Sequence, residues 1–362
     1  MEIKSIVITG GPCGGKSSAV KHIKDYFEKE GFAVIFVAET ATELINAGVA
    51  PWNFSAGVEF QKTIMSLQLK KEETFLEAAK KLNAQKVLIV FDRGCIDNKI
   101  YMSPEEFSEV LLSVNKTETQ LRDSYGAVFH LVSAAKGAEE FYTTSNNSAR
   151  TETPEQAAAL DDNLIDAWTG HPHLRIIDNS TDFEGKMHRL IKEISTYIGC
   201  PEPFEIERKF LIEHPDEKSL ETMFGCKKVE IMQTYLNCAE GEEVRIRQRG
   251  LDGEYTFFLT EKRSISDVKR VETERIISKD EYLKHLMNAD TAKRQIRKDR
   301  YCLCFEGQYF EIDIYPFMKE TAIVELELSD ENTEIRFPDI IKVIKEVTDD
   351  PAYKNSKLAE VD

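Results

Sequence analysis

The stretch Ile3-Lys-Ser-Ile-Val-Ile-Thr-Gly-Gly-Pro-Cys-Gly-Gly-Lys-Ser17 decides the fold of the first half of the chain. Its first seven residues have the apolar, β-branched character of a short buried strand. The following residues match G-x-x-x-x-G-K-[ST] at its fixed positions, which are Gly10, Gly15, Lys16 and Ser17. Residues 18–30 then read as a helix. This order of strand, loop and helix predicts a P-loop, in which glycines let backbone N–H groups curl around phosphate oxygens.

The loop predicts a binding site for ATP or GTP. Lys16 would reach the β- and γ-phosphates, and the Ser17 hydroxyl would join the shell of a Mg²⁺ ion. The expected nucleotide-binding residues are Gly10, Gly15, Lys16, Ser17 and Ser18. The alternative is a glycine turn that binds no ligand.

The rest of the first half alternates strand and helix patterns. Further strands are predicted at 32–37, 87–91, 128–133 and 174–177. Such alternation is typical of an α/β domain with a parallel sheet, whose ligands bind at the carboxyl ends of the strands.

Four charged side chains outside the loop are candidate catalytic residues of this half. Asp92 would hold Mg²⁺, with helix capping as the alternative, and Arg93 follows it in the same motif. Glu39 would deprotonate an acceptor hydroxyl, or would be a carboxylate beside a helix N-cap. Arg150, in a polar stretch, would supply a cation to the transferred phosphoryl group, or would be a solvated surface residue.

Length and composition place these features in a two-domain protein. The chain has 362 residues, of which 41% are hydrophobic and 31% charged, as in ordinary globular proteins. Gly199-Cys-Pro-Glu-Pro203 is a plausible linker, so we expect domains at 1–198 and 204–362. Seven cysteines without a C-x-x-C pair indicate reduced thiols. No signal peptide or membrane-length apolar run is found, which favours a cytoplasmic protein with no membrane partner.

The charge distribution restricts the partners. A net charge of −17 argues against an extended nucleic-acid footprint. Residues 245–300, however, contain 15 Lys and Arg against 10 Asp and Glu. A basic window inside an acidic protein suits a short, dense anion. The sequence leaves the oligomeric state open.

Period-two charge patterns dominate the second half. Side chains two residues apart share one face of a strand. Sets of this kind occur at 205/207/209, 245/247/249, 260/262, 270/272/274, 298/300, 311/313 and 325/327. Any one set fits a solvated sheet face, but seven in succession indicate a closed antiparallel barrel with a charged interior. Because buried charges must be paired or bind a ligand, a polyanion with a divalent metal would satisfy both signs.

The first half resembles the small-molecule kinase branch of P-loop proteins, which includes nucleoside kinases and AAA-type, ribosylnicotinamide-kinase-like domains. The resemblance covers residues 1–198 and rests on Gly10–Ser18, Glu39-Thr40, Asp92-Arg93-Gly94, the Arg150 stretch and His171–Asn179. It implies an ATP- or GTP-dependent kinase and does not name the acceptor.

The second half resembles the CYTH, or triphosphate tunnel metalloenzyme, family over about residues 204–359, beginning with Glu205, Glu207 and Lys209. The family implies an eight-stranded antiparallel tunnel with one or two Mg²⁺ or Mn²⁺ ions. The implied metal ligands are Glu205, Glu207, Glu325 and Glu327, then Glu274 and Asp313. The implied phosphate-binding residues are Lys209, Arg245, Arg247, Lys262, Arg270, Lys298 and Arg300, with Lys209 also catalytic.

Together these features predict a metal-dependent triphosphate hydrolase fused to a P-loop kinase-like domain, acting on nucleotides and short polyphosphates. One alternative is a nucleoside-like kinase whose tunnel processes or senses a phosphorylated product. Another is a polyphosphate sensor that is not an enzyme. Within the tunnel, ATP cyclisation and removal of an RNA 5′-phosphate are the alternative reactions.

Overall fold

The computed structural model describes residues 2–138, 153–199, 206–239, 242–266, 269–328 and 333–360, without the side chains of 263–272. One compact unit contains Met1–Ile206. Another contains Glu207–Phe305, Phe310–Leu328 and Glu334–Asp362.

The first unit is an α/β fold, as expected. Its strands are β1 (Glu2–Thr9), β2 (Ala33–Val37), β3 (Lys86–Asp92), β4 (Ala127–Leu131) and β5 (Leu174–Ile177). Its helices are α1 (Lys16–Lys29), α2 (Thr40–Asn46), α3 (Gly57–Ala79), α4 (Pro104–Ser113), α5 (Glu118–Arg122), α6 (Pro154–Trp168) and α7 (Phe183–Ile198). Short 3₁₀ stretches lie at Pro51–Asn53 and Cys95–Tyr101.

The five strands form a parallel sheet in the order β2-β3-β1-β4-β5. Alternation along β1 sends Ile6 and Ile8 to the core under α1 and α7, and Val7 to the core under α3 and α4. Both faces of the sheet are therefore covered. The loop after β1 lies at the carboxyl edge, where ligands of such sheets bind.

The second unit is built on an antiparallel sheet. Its strands are β6 (Ile206–Glu213), β7 (Cys226–Leu236), β8 (Glu242–Leu251), β9 (Glu254–Ser266), β10 (Lys269–Ile277), β11 (Ile296–Phe305), β12 (Gln308–Ile314), β13 (Thr321–Leu328) and β14 (Val343–Glu346). Its helices are α8 (Glu217–Thr222), α9 (Lys279–Leu286) and α10 (Asn355–Leu358), with a 3₁₀ turn at Pro351–Tyr353.

The strand order is β10-β9-β8-β7-β11-β12-β13-β6-β14. The sheet has nine strands where eight were expected, because the short β14 adds to β6. Val324 and Leu326 pack with Ile312 and Phe310 in an apolar core, as the alternation predicted. Glu325, between Val324 and Leu326, points to the other face of the sheet, which we call the tunnel face.

Within the described residues, no helix combines the length and the apolar character needed to cross a membrane. The longest, α3, is 23 residues long and carries many charged side chains.

Candidate functional site

The P-loop owes its shape to close backbone contacts. Gly10 has φ +140°, and a Cβ there would lie 2.1 Å from the Leu131 carbonyl oxygen at the end of β4. A Cβ on Gly14 would lie 2.5 Å from the same oxygen. Gly15 has φ +94° and is the N-cap of α1. Only glycine fits these positions without moving the loop.

Lys16 folds back over this loop. Its Nζ donates to the carbonyl oxygens of Gly10 (2.6 Å) and Gly11 (3.1 Å). Burial, reinforced by Arg93, lowers the pKa of Lys16 to about 8. Ser17 and Ser18 are exposed in the first turn of α1, where a phosphate or a metal ion can reach them.

Asp92 is the last residue of β3 and carries an unsatisfied oxygen. Its Oδ1 is buried and has no hydrogen-bond partner in the described part of the chain. Burial raises the pKa of Asp92, while Lys16 acts against that rise. The helix-capping alternative has no support here, because Asp97 caps the following turn by accepting from the Gly94 N–H at 2.8 Å. A lone buried carboxylate oxygen near Lys16 fits a Mg²⁺ ligand.

Glu39 and Arg93 lie beside Asp92. Arg93 has φ 67°, and its Nε donates to Glu39 Oε1 at 2.7 Å. The other oxygen of Glu39 accepts from Thr42 Oγ1 at 2.7 Å. Burial raises the pKa of Glu39, but Arg93 and Thr42 outweigh it, so the net pKa is lowered. Glu39 is the N-cap residue of α2 without a side-chain capping bond. Each oxygen keeps a second lone pair that can accept a proton.

Asp161, on α6, is a P-loop contact that sequence reasoning missed. Its Oδ1 accepts from the Gly11 N–H at 2.9 Å and from the Ser133 N–H at 3.0 Å. No motif marks it, since its partners come from distant loops.

In the second unit, Arg300 is the centre of a buried charge network on the tunnel face. Its guanidinium makes two 2.6 Å bonds to Asp313 and one 2.9 Å bond to Glu325, and also donates to Glu311. Burial opposes the charge of Arg300, but these carboxylates raise its pKa well above the ordinary value. The pairing of Glu311 opposite Glu325 in the β12–β13 register brings the carboxylates together.

Two lysines complete this arrangement, which we call the tunnel network: Lys209, Lys298, Arg300, Glu311, Asp313 and Glu325. Lys298 donates to Asp313 and lies 3.4 Å from the Tyr315 hydroxyl. Burial, then Arg300, lowers the pKa of Lys298. Lys209 Nζ lies 2.6 Å from Glu325 Oε1 and 3.8 Å from Glu207 Oε1.

The two carboxylates near Lys209 have opposite pKa shifts. Burial raises the pKa of Glu325, but Lys298, Arg300 and Lys209 outweigh it and hold that pKa well below its usual range. Burial and the neighbouring Glu325 raise the pKa of Glu207. The Glu207 side chain is 46% exposed, so solvent screens this shift.

A second group of charges lies on β8, β9 and β10. Arg247 donates to Glu274 at 2.9 and 3.1 Å, and Thr260 donates to the same carboxylate at 2.8 Å. Burial lowers the pKa of Arg247. Arg245 is opposite Thr260 in the β8–β9 register and opposite Tyr235 in the β7–β8 register. Lys262 is opposite Glu243 in the same register.

The expected metal ligands are only partly assembled. Glu274 and Asp313 are engaged by arginines, and Glu327 follows Glu325 on the same face of β13. Among the described residues, no three His, Cys, Asp or Glu side chains converge on a metal position. Mg²⁺, however, commonly takes one or two carboxylates and completes its shell with substrate phosphates. Glu207 and Glu325, both within 4 Å of one ammonium, fit that requirement.

Three candidates cannot be placed. Arg150 and Glu205 lie outside the described residues, as does the side chain of Arg270.

A model of the AAA domain family matches residues 5–186, half of the chain, and a model of the CYTH domain matches residues 203–350. The chain belongs to the AAA domain family and carries a CYTH domain. The P-loop is therefore part of the AAA domain, and the tunnel network is part of the CYTH domain.

Solved structures are similar to the CYTH half. The inorganic triphosphatase NE1496 is 29% identical, over 43% of this chain and 94% of its own, with a TM-score of 0.31. The PH1819 protein from Pyrococcus horikoshii is 22% identical, over 35% and 80%, with a TM-score of 0.27. At these TM-scores, neither similarity supports a functional conclusion. A search of curated proteins found no match.

Proposed function

We propose that the CYTH domain hydrolyses short triphosphate compounds, such as tripolyphosphate or a nucleoside triphosphate, with the help of Mg²⁺ or Mn²⁺. The observation that carries this proposal is the tunnel network. Three cations are held against three carboxylates on one face, with Arg300, Lys298 and Asp313 each less than a tenth exposed.

Such a network is suited to exchanging partners. Removing one member of a buried ion pair is costly, because the other charge is left without compensation. A polyphosphate arriving with a divalent cation replaces both signs together, so the lysines and arginines keep an anionic partner and the carboxylates keep a cationic one. Neutral or singly charged ligands cannot do this.

The phosphate-binding side chains would be Lys209, Arg245, Arg247, Lys262, Arg270, Lys298 and Arg300. Arg300 can use its planar guanidinium as a fork toward phosphate oxygens in place of Asp313. Lys209, next to Glu207 and Glu325, would neutralise charge on the phosphoryl group that is cleaved.

The carboxylates Glu205, Glu207, Glu325 and Glu327 would hold the metal, with Glu274 and Asp313 as further candidates. When bound, the ion would polarise the phosphoryl group and offset its charge. Ionised Glu325, whose pKa is held low by its cations, is ready to bind a cation at neutral pH.

The test is phosphate release from tripolyphosphate during a titration with Mg²⁺ or Mn²⁺. We expect Glu325→Gln to lose most of the release, since it removes a charge from the network. Glu346→Gln is the matched control, because Glu346 pairs with Arg208 on an exposed part of β14. Equal activity in the two variants, or release that persists in excess chelator, would contradict the proposal.

For the AAA domain we propose binding of ATP or GTP and phosphoryl transfer to a small hydroxylated acceptor. Support comes from the P-loop geometry and from the gathering of Asp92, Glu39 and Arg93 near Lys16. Ser17 and Asp92 would hold Mg²⁺, and Gly10, Gly15, Lys16 and Ser18 would contact the nucleotide. Arg150 remains the proposed cation of the transfer step.

Nucleotide binding can be tested by calorimetry with Lys16→Ala. Lys21→Ala on the exposed side of α1 is the matched control. The ligands are ADP and GDP, since the tunnel is proposed to act on triphosphates. Weaker binding in Lys16→Ala alone supports the proposal, and equal binding in both variants contradicts it. We further propose 1–198 and 204–362 as the domain boundaries.

A further inference from the structure

We infer that Asp161 is a positioning residue that orients the first peptide unit of the P-loop and, through it, Lys16. This inference rests on the proposed binding of nucleotide by the AAA domain. It assigns a role to a buried side chain in the middle of α6 that belongs to no motif.

Asp161 is fully buried and makes several contacts through one oxygen. Its Oδ1 accepts from the Gly11 N–H (2.9 Å), the Ser133 N–H (3.0 Å) and His130 Nε2 (3.0 Å). A Cβ on Gly11 would lie 2.8 Å from this oxygen, so the loop backbone rests directly on the carboxylate. Lys136 Nζ lies 3.4 Å from the other oxygen, Oδ2. The three donors on Oδ1 and this ammonium hold the carboxylate in place.

The contact with Gly11 fixes the direction of the preceding carbonyl. The Gly11 N–H and the Gly10 C=O belong to the same planar peptide unit, in which the two groups point in opposite directions. Asp161 holds the N–H end at 2.9 Å, so the C=O end must face away from α6. Lys16 Nζ donates to this Gly10 oxygen at 2.6 Å. One peptide plane therefore connects Asp161 to the lysine that is expected to bind phosphate.

Losing Asp161 would free that peptide to rotate. The N–H groups of Gly11 and Ser133 would be left without an acceptor in a buried place, and turning outward would be their simplest way to find one. The Gly10 carbonyl would turn with the N–H, and Lys16 would lose its resting position. Phosphate binding would then require the loop and Lys16 to be reoriented first, which would weaken the affinity.

The experiment measures ADP and GDP affinity by calorimetry with Mg²⁺, below the unfolding temperature of every variant. Diphosphates are used because the tunnel is proposed to bind and hydrolyse nucleoside triphosphates. We expect Asp161→Ala to weaken binding about tenfold to hundredfold. Asp161→Asn keeps an oxygen for the backbone donors and should fall between wild type and Asp161→Ala. Glu155→Gln is the matched control, because it neutralises an exposed carboxylate on the same helix. It should bind within about twofold of wild type.

A double-mutant cycle separates positioning from mere stabilisation. If Asp161 acts through Lys16, then Asp161→Ala should weaken binding much less when Lys16 is already alanine. Additive losses would overturn the inference. So would a lowered unfolding temperature with unchanged nucleotide affinity in Asp161→Ala and Asp161→Asn, because that pattern indicates structure alone.

Different results would overturn the proposed nucleotide binding and the proposed role of Asp161. A wild-type protein that binds neither ADP nor GDP overturns the nucleotide proposal and this inference with it. A wild type that binds, with Asp161→Ala binding equally well, overturns this inference alone. The unfolding temperature of each variant, measured in parallel, shows that the protein in each sample is folded.

Discussion

We propose that the P-loop and the tunnel both bind phosphate, but the P-loop does so with its backbone and the tunnel with charged side chains. In the P-loop, backbone geometry determines the shape of the site, since Gly10 and Gly14 lie against the Leu131 carbonyl. In the tunnel, charged side chains form the site, and the single guanidinium of Arg300 is bonded to three carboxylates. A site formed by backbone loses affinity when its shape changes. A network of buried charges loses stability when a charge of one sign is left without a partner of the other sign.

The largest effect should come from removing the centre of the tunnel network. Arg300→Met leaves Asp313, Glu311 and Glu325 in a buried place without their guanidinium. We expect a loss of about 3–5 kcal/mol in the free energy of unfolding of the CYTH domain. Denaturant unfolding measures it.

The control for that variant is Arg208→Met, whose partner Glu346 lies on an exposed strand. It should cost about 1 kcal/mol or less. Equal losses in the two variants would show that the tunnel charges are not an interdependent network.

Glu72 is a contrasting case, because it is a half-buried carboxylate of the AAA domain whose hydrogen-bond donors are neutral. It accepts from Tyr125 at 2.8 Å, and burial raises its pKa to about 7. Between the ordinary pKa near 4.5 and about 7, the folded protein holds a proton that the unfolded chain has lost. Stability from this group therefore falls as pH rises through that window.

Glu72→Gln removes this dependence. We expect the variant to be roughly 2–3 kcal/mol more stable than wild type at pH 8, with a difference near zero at pH 4.5. Unfolding measured across this pH range provides the check. A wild type that gains stability relative to the variant as pH rises would contradict the raised pKa.

A smaller effect is expected from reshaping the P-loop. In Gly10→Ala, the added methyl would collide with the Leu131 carbonyl at a φ of +140°. Strain of this kind costs about 1–3 kcal/mol, or roughly tenfold to hundredfold in nucleotide affinity if the loop must be restored to bind. Gly57→Ala, where a Cβ meets nothing within 4 Å, is the control. Calorimetry with ADP measures the affinity of both variants, and unchanged affinity in Gly10→Ala would contradict the shape argument.

The comparison also explains what could be read from the sequence. The P-loop and the five parallel strands were predicted within a few residues, because short apolar strands and a local glycine motif are properties of contiguous residues. The tunnel face was predicted from the alternation of residues along the strands. Val324 and Leu326 lie in the apolar core, which confirms that Glu325 and Glu327 are on the opposite face of β13.

What escaped prediction depends on distant contacts. The ninth strand, Val343–Glu346, is short and exposed and shows no alternation. The tertiary arrangement of β11, β12 and β13 determines which carboxylate pairs with Arg300. The sequence therefore suggested Asp313 as a metal ligand but could not show its ion pair with Arg300. Asp161 meets the P-loop only after α6 packs beside β4, 150 residues further along the chain.

We expect hydrolysis to take place in the tunnel and not to depend on the P-loop. The most direct measurement is phosphate release from tripolyphosphate and from ATP, with Mg²⁺ and then Mn²⁺, in wild type, Lys16→Ala and Glu207→Ala. We expect rapid release from tripolyphosphate that is lost in Glu207→Ala and retained in Lys16→Ala. Loss of release in Lys16→Ala with its fold preserved, or no release from any triphosphate while polyphosphate still binds, would contradict the account.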